Sequence, residues 1–365
     1  MSVTKKDSVQ ELALTEIAKH NRCSVGISMG VGKTRIGIKH LQKNYHPFIK
    51  ALVVIPKLSI KDSWIAELGK MGLEKLEPHL EFTTYLSINK KQPQDYDVVY
   101  LDECHSLLES HETFLKQFRG KILGLTGTPP VKKTSEKYRM MAKYCPVVYK
   151  FSVDEATDQK ILNDYRIVVH RINLSKLQTY KKKSKKGGFW YTSEVNDYDY
   201  LTRNCIDANT PKQRQFTSIM RMRAMMDYST KEQYLKNLLK TTTSKCIVFA
   251  NTQEQADRIC QHSYHSNNSK SAENLQLFKD GRITQLSCVL QLNEGVTIPN
   301  LQTGIIMHAY GNERKSAQRI GRLLRLNPTQ IATCHILCYK NTVDEKWVEK
   351  ALETFDKEKI KFIDV

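Results

Sequence analysis

The sequence lacks any uninterrupted apolar run near the roughly 18 residues that a membrane-spanning helix needs. Its opening residues, Met-Ser-Val-Thr-Lys-Lys-Asp, lack the apolar core of a signal peptide. Hydrophobic residues make up 40% of the 365 positions and charged residues 26%, values typical of soluble globular proteins. We therefore expect a protein without a membrane partner that stays in the compartment where it is made, and whose length allows two ordinary domains.

Closely spaced cysteines are also scarce. Among nine cysteines the only close pair is Cys334 and Cys338, and no second pair at metal-site spacing accompanies it. Several of the others stand inside apolar runs, where cysteine packs as a small hydrophobic residue in a reducing compartment. This pattern disfavours both a zinc site and a disulfide framework.

Acidic residues are too few to balance the basic ones. The chain has 57 Lys and Arg against 38 Asp and Glu, which gives a formal charge of +19. A positive field of this size favours polyanions and raises their rate of encounter with the protein. Nucleic acid is the favoured partner, although charge alone does not separate DNA from RNA.

A glycine-rich stretch is present between a strand-like run and a helix-compatible run, with the sequence Ser-Met-Gly-Val-Gly-Lys-Thr ending at Thr34. Gly30 and Gly32 allow the backbone to curl so that its N–H groups face an anion. In such a loop Lys33 reaches the β- and γ-phosphates and the Thr34 hydroxyl binds Mg²⁺. The full phosphate-loop pattern has glycine where this chain has Ile27, so the loop needs support from the rest of the sequence.

That support comes from an apolar strand that ends in two adjacent carboxylates, Asp102 and Glu103. Asp102 can hold the Mg²⁺ that bridges nucleotide phosphates, and Glu103 can orient or deprotonate the attacking water. Two interpretations of His105 are open. It either couples hydrolysis to motion, or it is a partly exposed histidine without a special role.

A further apolar strand ends in the polar turn Thr126-Gly127-Thr128-Pro129-Pro130. Ligands of open α/β sheets bind at the carboxyl ends of the strands, so Thr126 and Thr128 are predicted to belong to the same site. Together with His105 they are the candidate coupling residues. The first half of the chain therefore predicts a parallel α/β domain over residues 1–150.

Residues 151–165 read as a linker, and residues 166–365 as a second α/β domain that contains a basic, partly helical insertion at about 175–240. Lysines beside an aromatic side chain predict contact with nucleic acid, because ammonium groups meet phosphates and rings stack on bases. A solvated loop is the alternative. The residues concerned are Lys181, Lys182, Lys183, Lys185, Lys186 and Trp190.

Near the end of the chain, Gln318, Arg322 and Arg325 share one face of a predicted helix through i+4 and i+3 spacing. Two arginines and a glutamine on one face suit a triphosphate, since arginine stabilises the charge that develops during phosphoryl transfer. An ordinary basic surface helix is the alternative.

Together these segments resemble, in order, the motifs of the superfamily 2 helicases and nucleic-acid translocases over nearly the whole chain. The matching segments are Gly30–Thr34, Val53–Pro56 with Trp64 and Glu67, Asp102–His105, Thr126–Pro129, Ile247–Phe249, Asn293–Val296 and Gln318–Arg325. The residues of these motifs resemble in part those of the phage-type branched-DNA helicases and in part those of the Swi/Snf-type translocases.

The resemblance implies two RecA-like parallel-sheet α/β domains in tandem that close on ATP and Mg²⁺, with Arg322 and Arg325 completing the site. It also implies that Gln10 contacts adenine and that Gly295 belongs to the ATP site. Thr297 departs from the aspartate that many relatives carry.

The function that we expect is an ATP-dependent DNA helicase or translocase, a nucleic-acid-stimulated ATPase acting on branched or duplex DNA. The alternatives are an ATP-gated nucleic-acid clamp or recruitment module, and an RNA helicase. The resemblance further implies a monomer, phage-like in its compact size, that works in the cytoplasm of a prokaryotic or virus-infected cell with replication or recombination partners.

Overall fold

The computed structural model describes residues 4–28, 30–184, 187–289, 298–309, 331–353 and 355–365. In these residues the chain divides into two compact units, of which the first ends at Asp164 and the second begins at Tyr165. Each unit has its own parallel sheet with helices packed on it. The predicted fold class, two parallel-sheet α/β domains in tandem, is confirmed.

The sheet of the first unit is formed by apolar strands that are mostly buried on both faces, as parallel strands require. In chain order its strands are β1 (Arg22–Ile27), β2 (Ala51–Ile55), β3 (Leu80–Thr84), β4 (Val98–Asp102), β5 (Lys121–Thr126) and β6 (Val147–Phe151). They pair in parallel in the order β3–β2–β4–β5–β1–β6. Since β1, β5 and β4 are neighbours, the segments that follow them meet at one edge of the sheet.

The first helix begins with a capping box, in which Thr4 and Asp7 bond each other's backbone N–H groups. The α-helices of this unit are α1 (Lys5–Ile17), α2 (Lys33–Lys43), α3 (Lys61–Lys70), α4 (Glu112–Gln117), α5 (Glu136–Tyr144) and α6 (Val153–Asp158). Short 3₁₀ helices occupy Leu58–Ile60, Glu74–His79, Tyr85–Lys90, Pro93–Asp95, Cys104–Ser106 and Glu109–His111.

The boundary of the first unit differs from the prediction, which placed a linker at residues 151–165. Phe151 pairs with Ile27 in the sheet, so residue 150 falls inside a strand. Helix α6 follows at once, and Ile161 and Leu162 beyond it are buried. Residues 151–164 therefore lie with the first unit because they contribute apolar side chains to its core.

The second unit has a seven-stranded sheet and a separate two-stranded hairpin. In chain order its strands are β7 (Tyr165–Ile172), β8 (Tyr180–Lys183), β9 (Phe189–Thr192), β10 (Cys246–Ala250), β11 (Ser263–Tyr264), β12 (Gln285–Val289), β13 (Thr303–Ile306), β14 (Ala332–Tyr339) and β15 (Ile360–Asp364). The large sheet is parallel, in the order β11–β12–β10–β13–β14–β7–β15, whereas β8 and β9 pair antiparallel.

The described α-helices of the second unit are α7 (Glu194–Ile206), α8 (Pro211–Asp227), α9 (Ser229–Thr241), α10 (Gln253–Ile259), α11 (Ser271–Lys279) and α12 (Val343–Ala351), with a 3₁₀ helix at Lys357–Lys359. The first three of them, α7, α8 and α9, lie in the predicted basic insertion. The insertion at 175–240 is partly helical, but it is not simply an appendage. Tyr198 and Leu201 of α7 and Leu235 and Leu239 of α9 pack in the same apolar cluster as strand β10.

No helix in the described ranges has the length and apolar character to cross a membrane. The same residues contain no group of three or more His, Cys, Asp and Glu side chains arranged to hold a metal ion. All nine cysteines are buried thiols. Burial raises the pKa of Cys23, Cys334 and Cys338 to about 12, so these thiols stay protonated and unreactive at neutral pH.

Candidate active site

The loop between β1 and α2 has the backbone of a phosphate-binding turn. Gly30 and Gly32 have φ angles of 91° and 104°, which lie in the region that favours glycine. Gly32 is the N-cap of α2, so Lys33 and Thr34 form the first turn of that helix. The first N–H groups of a helix have no partner within it, and they suit a phosphate.

Gln10 on α1 reaches this loop. Its side-chain Nε2 donates a 2.9 Å hydrogen bond to the carbonyl of Val31. A Cβ atom on Gly32 would lie 2.6 Å from the same Nε2, so glycine is also needed there to let Gln10 approach. The Oε1 atom of Gln10 is buried and has no hydrogen-bond partner among the described residues. Gln10 thus supports the loop, and its contact with adenine stays a prediction.

The paired carboxylates stand at the end of β4, beside the loop. Asp102 is the last residue of the strand, and its Oδ2 accepts a 3.0 Å hydrogen bond from Nε1 of Trp64. Glu103 follows with a φ of 51° and a ψ of 52°, a left-handed backbone that is uncommon for glutamate. Its Oε1 lies 3.5 Å from Nζ of Lys33. Lys33 and the two carboxylates are therefore brought together as predicted.

These adjacent carboxyl groups titrate in opposite directions. Burial and the charge of Glu103 raise the pKa of Asp102 to about 6. Burial also acts to raise the pKa of Glu103, but the Lys33 ammonium, His105 and the N–H of Gly127 outweigh it and lower that pKa below its ordinary value. Glu103 is thus ionised at neutral pH, while the charge of Asp102 lacks compensation that a cation would supply.

The three predicted coupling residues form one hydrogen-bonded network between the ends of β4 and β5. Nδ1 of His105 lies 2.8 Å from Oγ1 of Thr126 and 3.3 Å from Oε2 of Glu103. The N–H of Thr128 donates a 3.1 Å hydrogen bond to the same Thr126 hydroxyl. His105 is buried rather than partly exposed, so the reading as a surface histidine is wrong. A change at Glu103 can reach the Thr126–Thr128 turn through these contacts.

Trp64 and Tyr85 hold the Asp102 segment in place, and neither was predicted as a site residue. The indole of Trp64 is fully buried and donates to Asp102, and the Tyr85 hydroxyl donates a 2.8 Å hydrogen bond to the Asp102 carbonyl. Gly37 on α2 makes room for the indole, because a Cβ there would lie 2.7 Å from its Cη2 atom. The sequence signals were the place of Trp64 in a segment that resembles a helicase motif and a mid-helix glycine shortly after Thr34.

The residues at this edge fit ATP and Mg²⁺. The loop offers backbone N–H groups and an ammonium to phosphates, and Thr34 with Asp102 offers the oxygen ligands that Mg²⁺ prefers. Two hydroxyl oxygens, Oγ of Ser28 and Oγ1 of Thr128, are buried without a hydrogen-bond partner in the described part of the chain. Such atoms are expected where a polar ligand binds.

In the second unit, the hairpin β8–β9 carries the described part of the predicted nucleic-acid-binding set. Lys182 stands opposite Trp190, whereas Lys181 stands opposite Tyr191 and Lys183 opposite Phe189. Because side chains alternate along a strand, Lys182 and Trp190 share one face. We call the other the outer face, and it is formed by Lys181, Lys183, Phe189 and Tyr191. Lys185 and Lys186 lie outside the described residues.

Comparison with known proteins matches both halves of the chain. The family described as Type III restriction enzyme, res subunit, matches residues 4–131, and the helicase conserved C-terminal domain matches residues 230–327. The DNA 3'-5' translocase XPB2 of Sulfurisphaera tokodaii is 23% identical over 356 residues, which cover 89% of this chain and 80% of that protein. The chain belongs to the superfamily 2 helicases and translocases.

Two further comparisons cover smaller shares of the matched proteins. A putative ATP-dependent RNA helicase, QP509L of African swine fever virus, is 28% identical over 152 residues, 34% of this chain and 28% of that protein. The ATP-dependent Type ISP restriction-modification enzyme LlaBIII, solved bound to DNA, has a TM-score of 0.65 at 15% identity. That match covers all of this chain but only 31% of the enzyme, and it shows the shared fold.

Superfamily 2 membership implies ATP hydrolysis. The remaining predicted site residues lie in the second half of the chain. The helicase C-terminal match includes the segments of Gly295, Gln318, Arg322 and Arg325. All four lie outside the described residues, so their roles stay predictions. The hairpin β8–β9 falls between the two matched ranges, and neither family model accounts for it.

Proposed function

We propose that this superfamily 2 protein is an ATP-dependent motor on DNA that couples ATP hydrolysis to movement along, or remodelling of, branched or duplex DNA. The observation that carries the proposal is the convergence of Lys33, Asp102 and Glu103 at the phosphate loop. A helix start, an ammonium and two carboxylates with opposite pKa shifts suit nucleotide hydrolysis better than nucleotide storage.

Each group has a separate task in the proposed reaction. Lys33 and the loop N–H groups bind the phosphates, and Thr34 and Asp102 hold Mg²⁺. Mg²⁺, when bound, neutralises phosphate charge and so eases attack at the γ-phosphorus. The raised pKa of Asp102 fits this role, since a carboxylate whose charge is poorly compensated gains most from a nearby cation.

Glu103 acts as the base that orients and deprotonates water. The lowered pKa keeps its carboxylate ionised, as a base must be before it accepts a proton. When Glu103 gains that proton its attraction for His105 weakens, and the hydrogen bonds of His105, Thr126 and Thr128 offer a route for the change. We extend the proposal to Gln10 and Gly295 at the nucleotide, and to Gln318, Arg322 and Arg325 as groups that stabilise the triphosphate during hydrolysis.

DNA is favoured as the track because a relative matched over 89% of this chain is named a DNA translocase. The fold alone favours neither nucleic acid, since structures that share it were solved with DNA and with RNA. The charge of +19 suits any nucleic acid, and the shorter viral match is named a putative RNA helicase. RNA is accordingly the second candidate track, and an ATP-gated clamp without movement is the alternative from another class.

The test is the ATPase rate of the whole chain with single-stranded DNA, duplex DNA, forked DNA and RNA, beside a Lys33→Ala control. We expect DNA to stimulate hydrolysis and the control to stay inactive. Stimulation by RNA alone would overturn the DNA assignment, and no stimulation by any ligand would support the clamp. Strand displacement on forks and triplex displacement on duplexes then separate unwinding from translocation.

A further inference from the structure

The hairpin β8–β9 has two faces with different surroundings. On one face Lys182 forms an ion pair with Asp197 of α7, whose side chain is 1% exposed. The Tyr228 hydroxyl donates a 3.0 Å hydrogen bond to the second oxygen of Asp197. Tyr180 adds an edge-to-face contact with Tyr228 at 5.0 Å between ring centroids. These contacts anchor the hairpin to the body of the second unit.

The outer face has no such role in packing. Phe189 and Tyr191 are 61% and 59% exposed, and Lys181 and Lys183 are exposed beside them. Nζ of Lys181 lies 3.9 Å from the centroid of the Phe189 ring. Among the described residues, neither lysine forms an ion pair with a carboxylate. The outer face of the anchored hairpin thus presents two rings and two ammonium groups to solvent.

We propose that the outer face binds single-stranded nucleic acid, with two bases stacked on Phe189 and Tyr191 and the adjoining phosphates held by Lys181 and Lys183. The inference rests on the proposed function and names the form of nucleic acid that one of its sites takes. It also changes the aromatic contact from Trp190 to its two neighbours. Trp190 is 49% exposed, but the register puts it beside Lys182, whose ammonium is already paired with Asp197, whereas Phe189 and Tyr191 share a face with Lys181 and Lys183.

Spacing favours a single strand over a duplex. Residues two apart on a strand are about 6.7 Å apart, roughly twice the 3.4 Å rise between stacked bases. Two such rings can therefore engage bases that are not stacked on each other, which a duplex does not offer. Stacking on exposed aromatic side chains with nearby cations is the physical basis of sequence-tolerant single-strand binding.

A second copy of this chain is a poorer occupant. The formal charge of +19 makes two copies of the chain repel each other. The outer face would also place two ammonium groups, which form no ion pair among the described residues, into any such contact. A polyanion with accessible aromatic bases satisfies both the rings and the charges.

The test compares Phe189→Leu/Tyr191→Leu with the wild-type chain, using fluorescence anisotropy of a labelled oligothymidine and a labelled duplex. Leucine keeps an apolar strand residue but removes the aromatic face. We expect single-strand affinity to fall at least tenfold and duplex affinity to change much less. Phe48→Leu is the matched control, since Phe48 is 86% exposed in the first unit, and it should bind as wild type does.

A second variant, Lys181→Gln/Lys183→Gln, tests the charges independently of the rings and serves if the leucine variant unfolds. Loss of two phosphate contacts should reduce the slope of log affinity against log salt by about 1.4 for single strands. Thermal unfolding of each variant checks that the hairpin still folds.

The outcomes separate this inference from the proposed function. If the wild-type chain binds no nucleic acid, both fail. If it binds but the leucine variant binds a single strand equally well, the outer-face proposal alone is overturned. Equal losses on single strand and duplex would overturn the single-strand assignment. If the wild-type chain dimerises and the leucine variant does not, while nucleic-acid binding is unchanged, the outer face binds a second copy of the chain instead.

Discussion

The nucleotide edge of the first sheet and the hairpin of the second unit hold their charged side chains under opposite conditions. At the edge, Asp102, Glu103 and His105 are largely withdrawn from water and each is tied to a neighbour. On the outer face of the hairpin, Lys181 and Lys183 are exposed. Burial makes electrostatic interactions strong and geometry strict, whereas exposure leaves them weak and adaptable.

This difference predicts where a single substitution also changes the charge state or the stability of neighbouring groups. In the buried site each group changes the charge state of the next, as the opposite pKa shifts of the two carboxyl groups illustrate. In the hairpin, the one strongly coupled group is Lys182, because its partner Asp197 is buried. Three predictions examine this contrast, in order of expected effect.

The largest effect is expected from Glu103→Gln. The amide keeps the size of the side chain but accepts no proton, so ATP turnover should fall about 1000-fold while ATP still binds. Steady-state hydrolysis and the binding of a fluorescent ATP analogue measure the two properties. Near-normal turnover would remove Glu103 from its proposed role, and Glu77→Gln, a change at an exposed carboxylate in the 3₁₀ helix Glu74–His79, is the control.

The second effect concerns stability rather than turnover. Lys182→Gln leaves the buried carboxylate of Asp197 without its cation, so the free energy of unfolding should fall by about 3 kcal/mol. Lys181→Gln changes an exposed lysine on the same strand and should cost less than about 0.5 kcal/mol. Urea unfolding of the whole chain compares them. Similar values for the two variants would mean that the ion pair does not anchor the hairpin.

The third and smallest effect is a dependence of stability on pH at Asp102. Its pKa of about 6 exceeds the ordinary value of 3.8, so the ionised carboxylate opposes folding above pH 6 and the penalty fades as the pH falls through that value. Without nucleotide or Mg²⁺, Asp102→Asn should stabilise the chain by about 2 kcal/mol near pH 8 and by clearly less near pH 5.

The neighbouring carboxyl group supplies the control for that experiment. The pKa of Glu103 is lowered, so its ionised form favours folding, and Glu103→Gln should not stabilise the chain near pH 8. Stabilisation of the same size by both variants, or a gain at Asp102 that does not change with pH, would contradict the opposite shifts.

Much of the nucleotide site was predictable because its residues sit in short local patterns. A strand, a glycine turn and Lys33-Thr34 specify their own geometry, and so does an apolar strand that ends in Asp102-Glu103. The sequence was less informative where partners come from distant segments. Trp64 of α3 reaches Asp102 at the end of β4, and Gln10 of α1 reaches Val31 in the loop before α2, only because the folded chain brings these distant segments together.

The sequence by itself determined two parallel α/β sheets, the phosphate loop and the carboxylate pair, since each depends on the order of neighbouring residues. Only the tertiary structure decided that the first unit extends to Asp164, which needs Phe151 to pair with β1. It also decided which lysines of the hairpin face solvent. A shift of register by one residue would exchange the two faces, and the burial of Asp197 under Lys182 fixes which one is anchored.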